Sequence, residues 1–254
     1  MFRHLALSVV LTALLALGAA SAADIQQCSM VVDGEAEVVT FDTLLPDGVE
    51  VTVNGLLVKP SGRGPYPAIV MLPGGGSLVT PYCFAFLAKQ FVSWGYATMI
   101  VASSTARDRS GTRRLQYSFL DQTKHALGAA SYLAAHSEVD PHRIGVWGFS
   151  RGGLTAIYVA SDPNSSVSHF GAAIAIAPHC PAQASAPKIP LLVIQGTDDA
   201  IISAEVCVDY ANRIQGTFGF EFLLLAGGRH VVWDNDTHAA TLAASMRAFL
   251  VKYL

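Results

Sequence analysis

Charged residues are scarce in this sequence, and the two signs nearly balance. Asp, Glu, Lys and Arg together make up 14% of the 254 residues, and the formal net charge is −3. Nucleic acids and anionic membrane surfaces attract proteins with extensive basic surfaces, so neither is expected as a partner. Internal repeats and low-complexity tracts are also missing. Beyond the N-terminal segment, no apolar run approaches the roughly 18 residues that a membrane-spanning helix needs.

The N-terminal segment has the composition of a targeting sequence. A short, weakly basic start precedes the apolar run Leu5–Leu17, and Ala20-Ser21-Ala22 supplies small residues for cleavage. This layout predicts a cleavable signal peptide over residues 1–23 and export to the periplasm or the medium. An uncleaved anchor or a buried helix is the alternative. The remaining residues, 24–254, suit a single domain with a sizeable core.

Cysteine is sparse, and its spacing excludes the common zinc motifs. The four cysteines are Cys28, Cys83, Cys180 and Cys207, and no two of them form a C-x-x-C pair. No metal site is therefore expected. An even number of cysteines in an exported chain favours two disulfides. Cys180 and Cys207 flank neighbouring predicted strands, so we expect this bond and, by remainder, Cys28 with Cys83. Four unpaired thiols are the alternative.

Segments with strand and helix patterns alternate from residue 37 onward. Glu37–Leu44 and Glu50–Val58 flank a turn with Pro46-Asp47-Gly48, which predicts an antiparallel pair. The further predicted strands are Ala68–Leu72, Ala97–Ala102, Ile144–Trp147, Ala172–Ala177, Leu191–Ile194 and Glu221–Leu225, and the predicted helices are Tyr82–Trp94, Leu120–His136, Gly153–Ser161, Ala204–Ile214 and His238–Leu254. This alternation predicts an α/β fold with a mostly parallel, doubly wound sheet flanked by helices. The connection from Ala177 to Pro190 is too short for a large cap domain.

A G-x-S-x-G motif lies between a predicted strand and a predicted helix. Its residues are Gly148-Phe149-Ser150-Arg151-Gly152. In a nucleophile elbow the serine occupies a sharp, strained turn, and the residues two positions away must lack bulky side chains. The context therefore indicates that Ser150 is a nucleophile. The alternative is a glycine-rich turn with an incidental serine.

A serine nucleophile needs a base and an acid, which follow it in the order acid, then histidine, in this kind of fold. Asp198 and Asp199 follow one late strand, and His230 follows the last strand. His179 also lies at a strand end, but it precedes both aspartates, so a place in a loop or rim is expected for it. Three other histidines fall on or near the helix after Leu120 and are expected to be solvated: His125, His136 and His142.

Catalysis by such a serine also needs donors for the tetrahedral oxyanion. One expected donor is the backbone N–H of Arg151, directly after the nucleophile. The other is expected from the glycine-rich loop after Leu72, with Gly75 the first choice and Gly76 the second. A merely flexible turn is the alternative for this loop. A phosphate loop is not indicated, because no Gly-Lys-Ser/Thr follows.

The motifs together resemble the dienelactone hydrolases. The segments that carry the resemblance are Leu72-Pro73-Gly74-Gly75-Gly76, Gly95-Tyr96-Ala97, Val139-Asp140-Pro141-His142-Arg143-Ile144 with the elbow, Gly196-Thr197-Asp198-Asp199 and Gly228-Arg229-His230. They extend over nearly all of the mature chain. The resemblance implies an α/β-hydrolase fold and, because the family's acid lies three residues after the glycine, it implies Asp199 rather than Asp198.

The sequence departs from that family at three places. Ser150 stands where the dienelactone-cleaving members carry cysteine, and Pro73-Gly74 replaces a His-Gly pair. Ala102 and Ser103 stand where an aspartate often ends the strand. The expected activity is therefore that of a serine hydrolase that cleaves a carboxylic ester, lactone or thioester of a small molecule through an acyl-enzyme, without a cofactor. The alternatives are a peptidase or amidase of the same fold and a catalytically inert binding protein.

A cluster of arginines follows the strand Ala97–Ala102. Its members are Arg107, Arg109, Arg113 and Arg114, while Arg151 and Arg229 adjoin the proposed nucleophile and base. Arginine binds carboxylates through two parallel hydrogen bonds, so Arg107 and Arg109 are candidates for holding an acidic group of the substrate. The alternative is a solvated basic loop whose side chains turn away from the pocket.

Overall fold

The structure is a computed structural model that describes residues 35–75, 80–112, 117–162, 169–183, 185–233 and 235–254. The side chains of residues 35, 36, 80–83, 85 and 86 are not included in this description. Several predictions therefore fall outside it: the signal peptide over residues 1–23, Gly76, Arg113, Arg114, and the Cys28–Cys83 pair.

Within these ranges the chain forms an eight-stranded sheet and five helices. The strands are β1 (Glu35–Leu44), β2 (Glu50–Lys59), β3 (Tyr66–Leu72), β4 (Ala97–Asp108), β5 (Val139–Phe149), β6 (Phe170–Ile176), β7 (Leu191–Gly196) and β8 (Phe220–Leu225). The helices are α1 (Thr80–Ser93), α2 (Phe119–Ala135), α3 (Arg151–Ser161), α4 (Ala204–Ile214) and α5 (Asp236–Tyr253). Each corresponds to a segment that the sequence pattern predicts.

The strand order is β1-β2-β4-β3-β5-β6-β7-β8. β1 pairs antiparallel with β2, and β2 pairs antiparallel with β4. From β4 to β8 the neighbouring strands are parallel. The carboxyl ends of the parallel strands therefore meet at one edge, where such sheets place their functional loops. This arrangement confirms the predicted mostly parallel sheet with an antiparallel start.

Two apolar layers cover the two faces of the sheet. On one face, α2, α3 and α4 contribute buried residues such as Leu133, Ile157 and Tyr210. On the other face, α1 and α5 contribute buried residues such as Phe91 and Phe249. The parallel strands are consequently buried on both sides, which explains why their sequences are runs of apolar residues without alternation.

No helix or strand lies between β6 and β7 in the described part of residues 177–190. The expected absence of a large cap over this edge of the sheet is thus confirmed for these residues. No helix in the described ranges is both long enough and apolar enough to cross a membrane.

Most strands extend one or two residues beyond their predicted ends, and β4 and β5 extend much further. β4 continues to Asp108, because it pairs with the first half of β2 after a register shift between Thr52 and Asn54. β5 begins at Val139, opposite Tyr66 of β3, although polar residues and a proline follow Val139 before the apolar run starts at Ile144. The basic segment expected as a loop after Ala102 is therefore partly strand, with Arg107 opposite Thr52.

A disulfide joins Cys180, which follows β6, to Cys207 on α4. Their Cα atoms are 5.0 Å apart, and both residues are buried. The structure thus contains the first of the two bonds that the sequence leads us to expect.

Candidate active site

Ser150 lies at the sharp turn between β5 and α3. Its backbone has φ 55° and ψ −115°, a left-handed conformation that few residues other than glycine adopt. Two backbone hydrogen bonds hold this turn: Ser150 N donates to Ile176 O at 2.9 Å, and Leu154 N donates to Ser150 O at 3.0 Å. The surroundings thus stabilise a strained conformation that presents the serine at the carboxyl edge of the sheet.

The glycines of the motif are required by close backbone packing. A Cβ on Gly148 would lie 1.9 Å from the carbonyl oxygen of Gly152. A Cβ on Gly152 would lie 2.0 Å from the carbonyl oxygen of Leu72. Both distances are far below van der Waals contact. A side chain on Gly148 would separate the end of β5 from the start of α3, and one on Gly152 would push the elbow away from β3. The sequence motif therefore encodes a tight steric fit.

His230 lies in the loop after β8 and faces the serine. Its Nε2 is 3.1 Å from Ser150 Oγ. Its Nδ1 is 2.8 Å from Asp199 Oδ2, and its side chain is 13% exposed. With the Nδ1 proton directed at the carboxylate, Nε2 of the neutral ring is free to accept the serine proton.

Asp199 follows β7 and is fixed by several donors. Backbone N–H groups of Ile201 and Ile202 each donate to its Oδ1 at 2.9 Å. The Gln195 side chain donates from Nε2 to Oδ2 at 2.9 Å. Burial would by itself raise the pKa of Asp199, but the hydrogen bonds from His230, Ile202, Ile201 and Gln195 together lower this pKa below 3.8. The carboxylate is therefore ionised at neutral pH.

Asp198 points elsewhere. It is exposed, and its Oδ1 accepts from Thr197 Oγ1 at 2.9 Å. The Asp198 N–H donates to Gly228 O at 2.9 Å, and Gly227 N donates to Thr197 Oγ1 at 2.8 Å. These bonds join the loop that carries Asp199 to the loop that carries His230.

The glycine-rich loop after β3 lies directly beside the elbow. A Cβ on Gly74 would lie 3.2 Å from Ser150 Cβ, and one on Gly75 would lie 3.0 Å from the Arg151 guanidinium. That guanidinium also stacks over the Tyr117 ring at 5.1 Å from its centroid. The two residues proposed as oxyanion donors, Gly75 and Arg151, are therefore neighbours next to the serine.

Aromatic rings border the histidine. The Phe149 ring is 5.1 Å from His230 and 4.8 Å from Trp233, centroid to centroid. Phe84 of α1 packs behind Phe149 at 6.3 Å. Phe149 and Trp233 are only partly buried, so they provide an apolar wall that a substrate can contact.

The two described arginines of the basic cluster have partners within the protein. Arg107 Nη1 donates to Gly111 O at 3.1 Å, and Arg109 forms an ion pair with Glu50. Both residues are exposed. Binding a substrate carboxylate through these two side chains would therefore require their bonds to Gly111 and Glu50 to be exchanged.

The histidines outside the site differ from expectation in one case. His142 and His179 are exposed and His136 is partly exposed, whereas His125 is completely buried. The expectation that His125 is solvated is wrong, because it lies on the face of α2 that packs against the sheet, near Tyr117. In the described parts of the chain, no group of three or more His, Cys, Asp or Glu residues could hold a metal ion.

The sequence patterns did not indicate Gln122 or Gln195. Both are completely buried glutamines that hydrogen-bond to elements of the site. Gln195 binds the Asp199 carboxylate, and Gln122 donates from Nε2 to Pro73 O at 3.0 Å. The only signal available was a polar residue within an apolar strand or on a helix face, which is too common to identify a site.

Solved structures identify the class of fold. The α/β-hydrolase GrgF from Penicillium superposes with a TM-score of 0.70 and 17% identity, over 86% of this chain and 99% of that chain. A Klebsiella pneumoniae protein assigned to the dienelactone hydrolases superposes with a TM-score of 0.64 and 15% identity. That superposition covers 85% of this chain and 100% of the Klebsiella chain. At such identities the likeness concerns the fold alone. The fold is that of the α/β-hydrolases, as the sequence motifs predict.

The family follows from the sequence itself. Residues 55–254 match the family model described as PETase, PET hydrolase-like, so the chain belongs to this family. The predicted resemblance to the dienelactone hydrolases is confirmed at the level of the α/β-hydrolases, the group that contains both families.

Among individual relatives, the quorum-quenching protein AidA of Acinetobacter baumannii is 29% identical over 118 residues, which are 46% of this chain and 38% of AidA. Human acyl-coenzyme A thioesterase 1 is 31% identical over 110 residues, which are 43% of this chain and 24% of the thioesterase. These matches span less than half the length of either relative.

Proposed function

We propose that the protein hydrolyses carboxylic esters of small molecules through an acyl-enzyme on Ser150. The observation that carries this proposal is the hydrogen-bonded series Asp199–His230–Ser150, with distances of 2.8 and 3.1 Å. It connects a buried carboxylate to a serine in a strained elbow, which are the parts that nucleophilic catalysis by serine requires. Membership of a hydrolase family supports the same conclusion.

In the first half of the reaction, Ser150 Oγ attacks the ester carbonyl carbon while its proton passes to His230 Nε2. The carbonyl π electrons move to the oxygen, and the backbone N–H groups of Gly75 and Arg151 bind this oxyanion. Collapse of the tetrahedral intermediate breaks the C–O bond, and His230 returns the proton to the leaving alcohol. Asp199 stabilises the imidazolium and keeps the ring oriented throughout.

In the second half, water replaces the alcohol. His230 takes a proton from the water while the water oxygen attacks the acyl carbon. The second tetrahedral intermediate then breaks its bond to Ser150 Oγ, and His230 returns the proton to that oxygen. The products are a carboxylic acid and the free enzyme, so the atoms balance without a cofactor. Thioesters follow the same steps with a thiol as leaving group.

The partly exposed rings of Phe149 and Trp233 suggest that an apolar part of the ester lies beside His230. Such a surface gives no hydrogen-bonding requirement that would favour one ester over another. Turnover of a series of p-nitrophenyl esters therefore measures acyl-length preference, and p-nitroanilide peptides test the amidase alternative in the same assay.

Ser150→Ala tests the proposal. We expect the variant to fold normally, to lose ester turnover by several orders of magnitude, and to resist labelling by a fluorophosphonate probe. Retention of more than about a tenth of the wild-type kcat would exclude Ser150 from the mechanism. An unlabelled wild-type protein without turnover of any ester would favour the binding-protein alternative.

We also propose that the protein works outside the cytoplasm as a single domain of residues 24–254. The signal-like composition of residues 1–23 supports export, and the disulfide between Cys180 and Cys207 suits an oxidising compartment. N-terminal sequencing of protein recovered from periplasmic and extracellular fractions tests this. A cytoplasmic protein that still begins at Met1 would contradict the proposal.

A further inference from the structure

A buried glutamine on α2 connects the two sides of the proposed oxyanion site. Gln122 is completely buried, although amide side chains normally lie at the surface. Its Nε2 donates to the Pro73 carbonyl at 3.0 Å, and its Oε1 accepts from the Thr155 hydroxyl at 3.0 Å. Because a carbonyl only accepts hydrogen bonds, the amide must present its nitrogen to Pro73 and its oxygen to Thr155.

The two partners of Gln122 belong to the two segments that carry the proposed donors. Pro73 directly precedes Gly74 and Gly75 in the loop after β3. Thr155 lies on α3, and its hydroxyl shares its one proton between Gln122 Oε1 and the carbonyl oxygen of Arg151, one turn earlier, at 3.1 Å. One side chain thus spans from the loop with one donor to the helix turn with the other.

This connection restricts the orientation of the loop. The peptide bond between Pro73 and Gly74 is a planar unit, so fixing its carbonyl toward Gln122 also fixes the direction of the Gly74 N–H. The next peptide unit carries the Gly75 N–H and begins from that fixed plane. Gly74 and Gly75 have no side chains of their own to anchor them, so the contact with Gln122 adds a restraint to the packing of this loop beside Ser150 and Arg151.

We infer that Gln122 is a positioning residue that holds the Gly75 and Arg151 N–H groups at the separation needed to bind the oxyanion. It does not touch the reacting atoms. This inference rests on the proposed function, because it concerns the transition state of that reaction. Oxyanion donors stabilise the transition state more than the bound ester, so a displaced donor lowers kcat more than it raises KM.

The test compares three substitutions in the full chain. Gln122→Met keeps a similar length and removes both hydrogen bonds, Thr155→Val removes one of them, and Thr155→Ser keeps the hydroxyl. For each variant, kcat and KM are measured with p-nitrophenyl acetate. The affinity for an alkyl trifluoromethyl ketone, which forms a tetrahedral adduct with the serine, is measured alongside.

We expect Gln122→Met and Thr155→Val to lower kcat by roughly 10- to 100-fold with KM changed by less than about threefold. The affinity for the ketone should fall in parallel with kcat/KM in these two variants. Thr155→Ser, which keeps the hydroxyl, should retain the wild-type kcat/KM and ketone affinity. Ala130→Gly is the matched control: it weakens the same helix at a buried position that lacks these contacts, so it should lower Tm and leave kcat within about twofold.

Two results would overturn the inference. One is a folded Gln122→Met with kcat and ketone affinity within about twofold of wild type; should that variant fail to fold, Thr155→Val decides by the same criterion. The other is a loss of kcat without any loss of ketone affinity, since that would indicate a structural role alone. Failure of the proposed function gives a different result, namely full turnover by Ser150→Ala.

Discussion

Gly196 and Gly228 pack backbone against backbone where the loops after β7 and β8 meet. A Cβ on Gly196 would lie 2.0 Å from the carbonyl oxygen of Gly228, closer than any real side chain could approach. Asp199 lies three residues after Gly196, and His230 lies two residues after Gly228. The close approach of the two glycines therefore sets the distance between the carboxylate and the imidazole.

Substituting Gly196 should separate these loops. We expect Gly196→Ala to lower kcat/KM by about 100-fold or more, because a displacement near 1 Å at a catalytic group has effects of this size. Gly171→Ala is the control, since its Cβ would meet the end of the flexible Leu254 side chain at 3.1 Å and the Ile144 carbonyl oxygen at 3.9 Å, an ordinary contact distance. Kinetics of both variants with one ester check the expectation. Equal activities would show that the loops adjust without cost.

Asp199→Asn should retain the fold and lose most of the activity. An amide in this position can donate to Nδ1 and favour the tautomer whose proton lies on Nε2, which cannot accept the proton of Ser150. The expected loss in kcat is roughly 10⁴-fold near neutral pH. Asp198→Asn is the matched control, because Asp198 is exposed and bonded to Thr197. If the control rather than Asp199→Asn loses activity, the acid has been assigned wrongly.

The same substitution should change the dependence of stability on pH. The pKa of Asp199 is about 3.8 in the unfolded chain and lower in the folded protein. Between these two pKa values, the unfolded chain therefore binds more protons than the folded protein. The contribution of this carboxylate to the free energy of unfolding is complete above about pH 4 and disappears as the pH falls through the folded-state pKa. Urea unfolding from pH 2 to 7 should therefore show a shallower acid decline for Asp199→Asn. An unchanged slope would contradict the lowered pKa.

Removing the disulfide should cost stability. Cys180 and Cys207 are 27 positions apart, and a loop of that size stabilises a protein by about 3 to 4 kcal/mol in the chain-entropy model. We expect the double variant Cys180→Ala, Cys207→Ala to lose about this much free energy of unfolding under non-reducing conditions. Wild-type protein unfolded with reductant provides the comparison. No difference between wild type and the double variant would indicate that the thiols are unpaired in solution.

The arginines after β4 allow a test of substrate charge. Arg107 and Arg109 are bonded to Gly111 and Glu50, so binding a substrate carboxylate would require these contacts to be exchanged. We therefore expect the double variant Arg107→Gln, Arg109→Gln to leave kcat/KM for a neutral ester and its carboxylate-bearing analogue nearly unchanged at low salt. A preference of wild type for the charged analogue that fades with salt and is absent from the variant would instead assign substrate binding to these arginines.

The sequence predicted the fold well because the signals were local. Buried parallel strands appear as short apolar runs, and the elbow places glycines at fixed positions, so both can be recognised without knowing any distant contact. The extensions of β4 and β5 could not be predicted in this way. Most of the residues added at the end of β4 and at the start of β5 are polar, and they become strand because β2 and β3 lie beside them.

The site was predictable to the extent that chain order determines it. Order and strand ends indicated Ser150, His230 and a pair of adjacent aspartates, and the structure places the second aspartate against the histidine. Gln122 was not predictable, because its partner Pro73 is 49 positions away and a single glutamine in a helix carries no recognisable pattern. The burial of His125 was missed for a different reason: Ala129 and Leu133 place this position on the apolar face by helical spacing, but a polar imidazole by itself indicates solvent.

The bond between Cys180 and Cys207 closes a covalent ring of chain that contains β7 and Asp199. Within that ring, residues 182, 183, 185 and 186 are exposed. A protease that cut once in this stretch would leave both fragments linked, so the nicked protein would migrate as one species until a reductant separated it into two. The carboxylate opposite His230 would thus remain attached to both halves of the molecule after a break that would otherwise divide them.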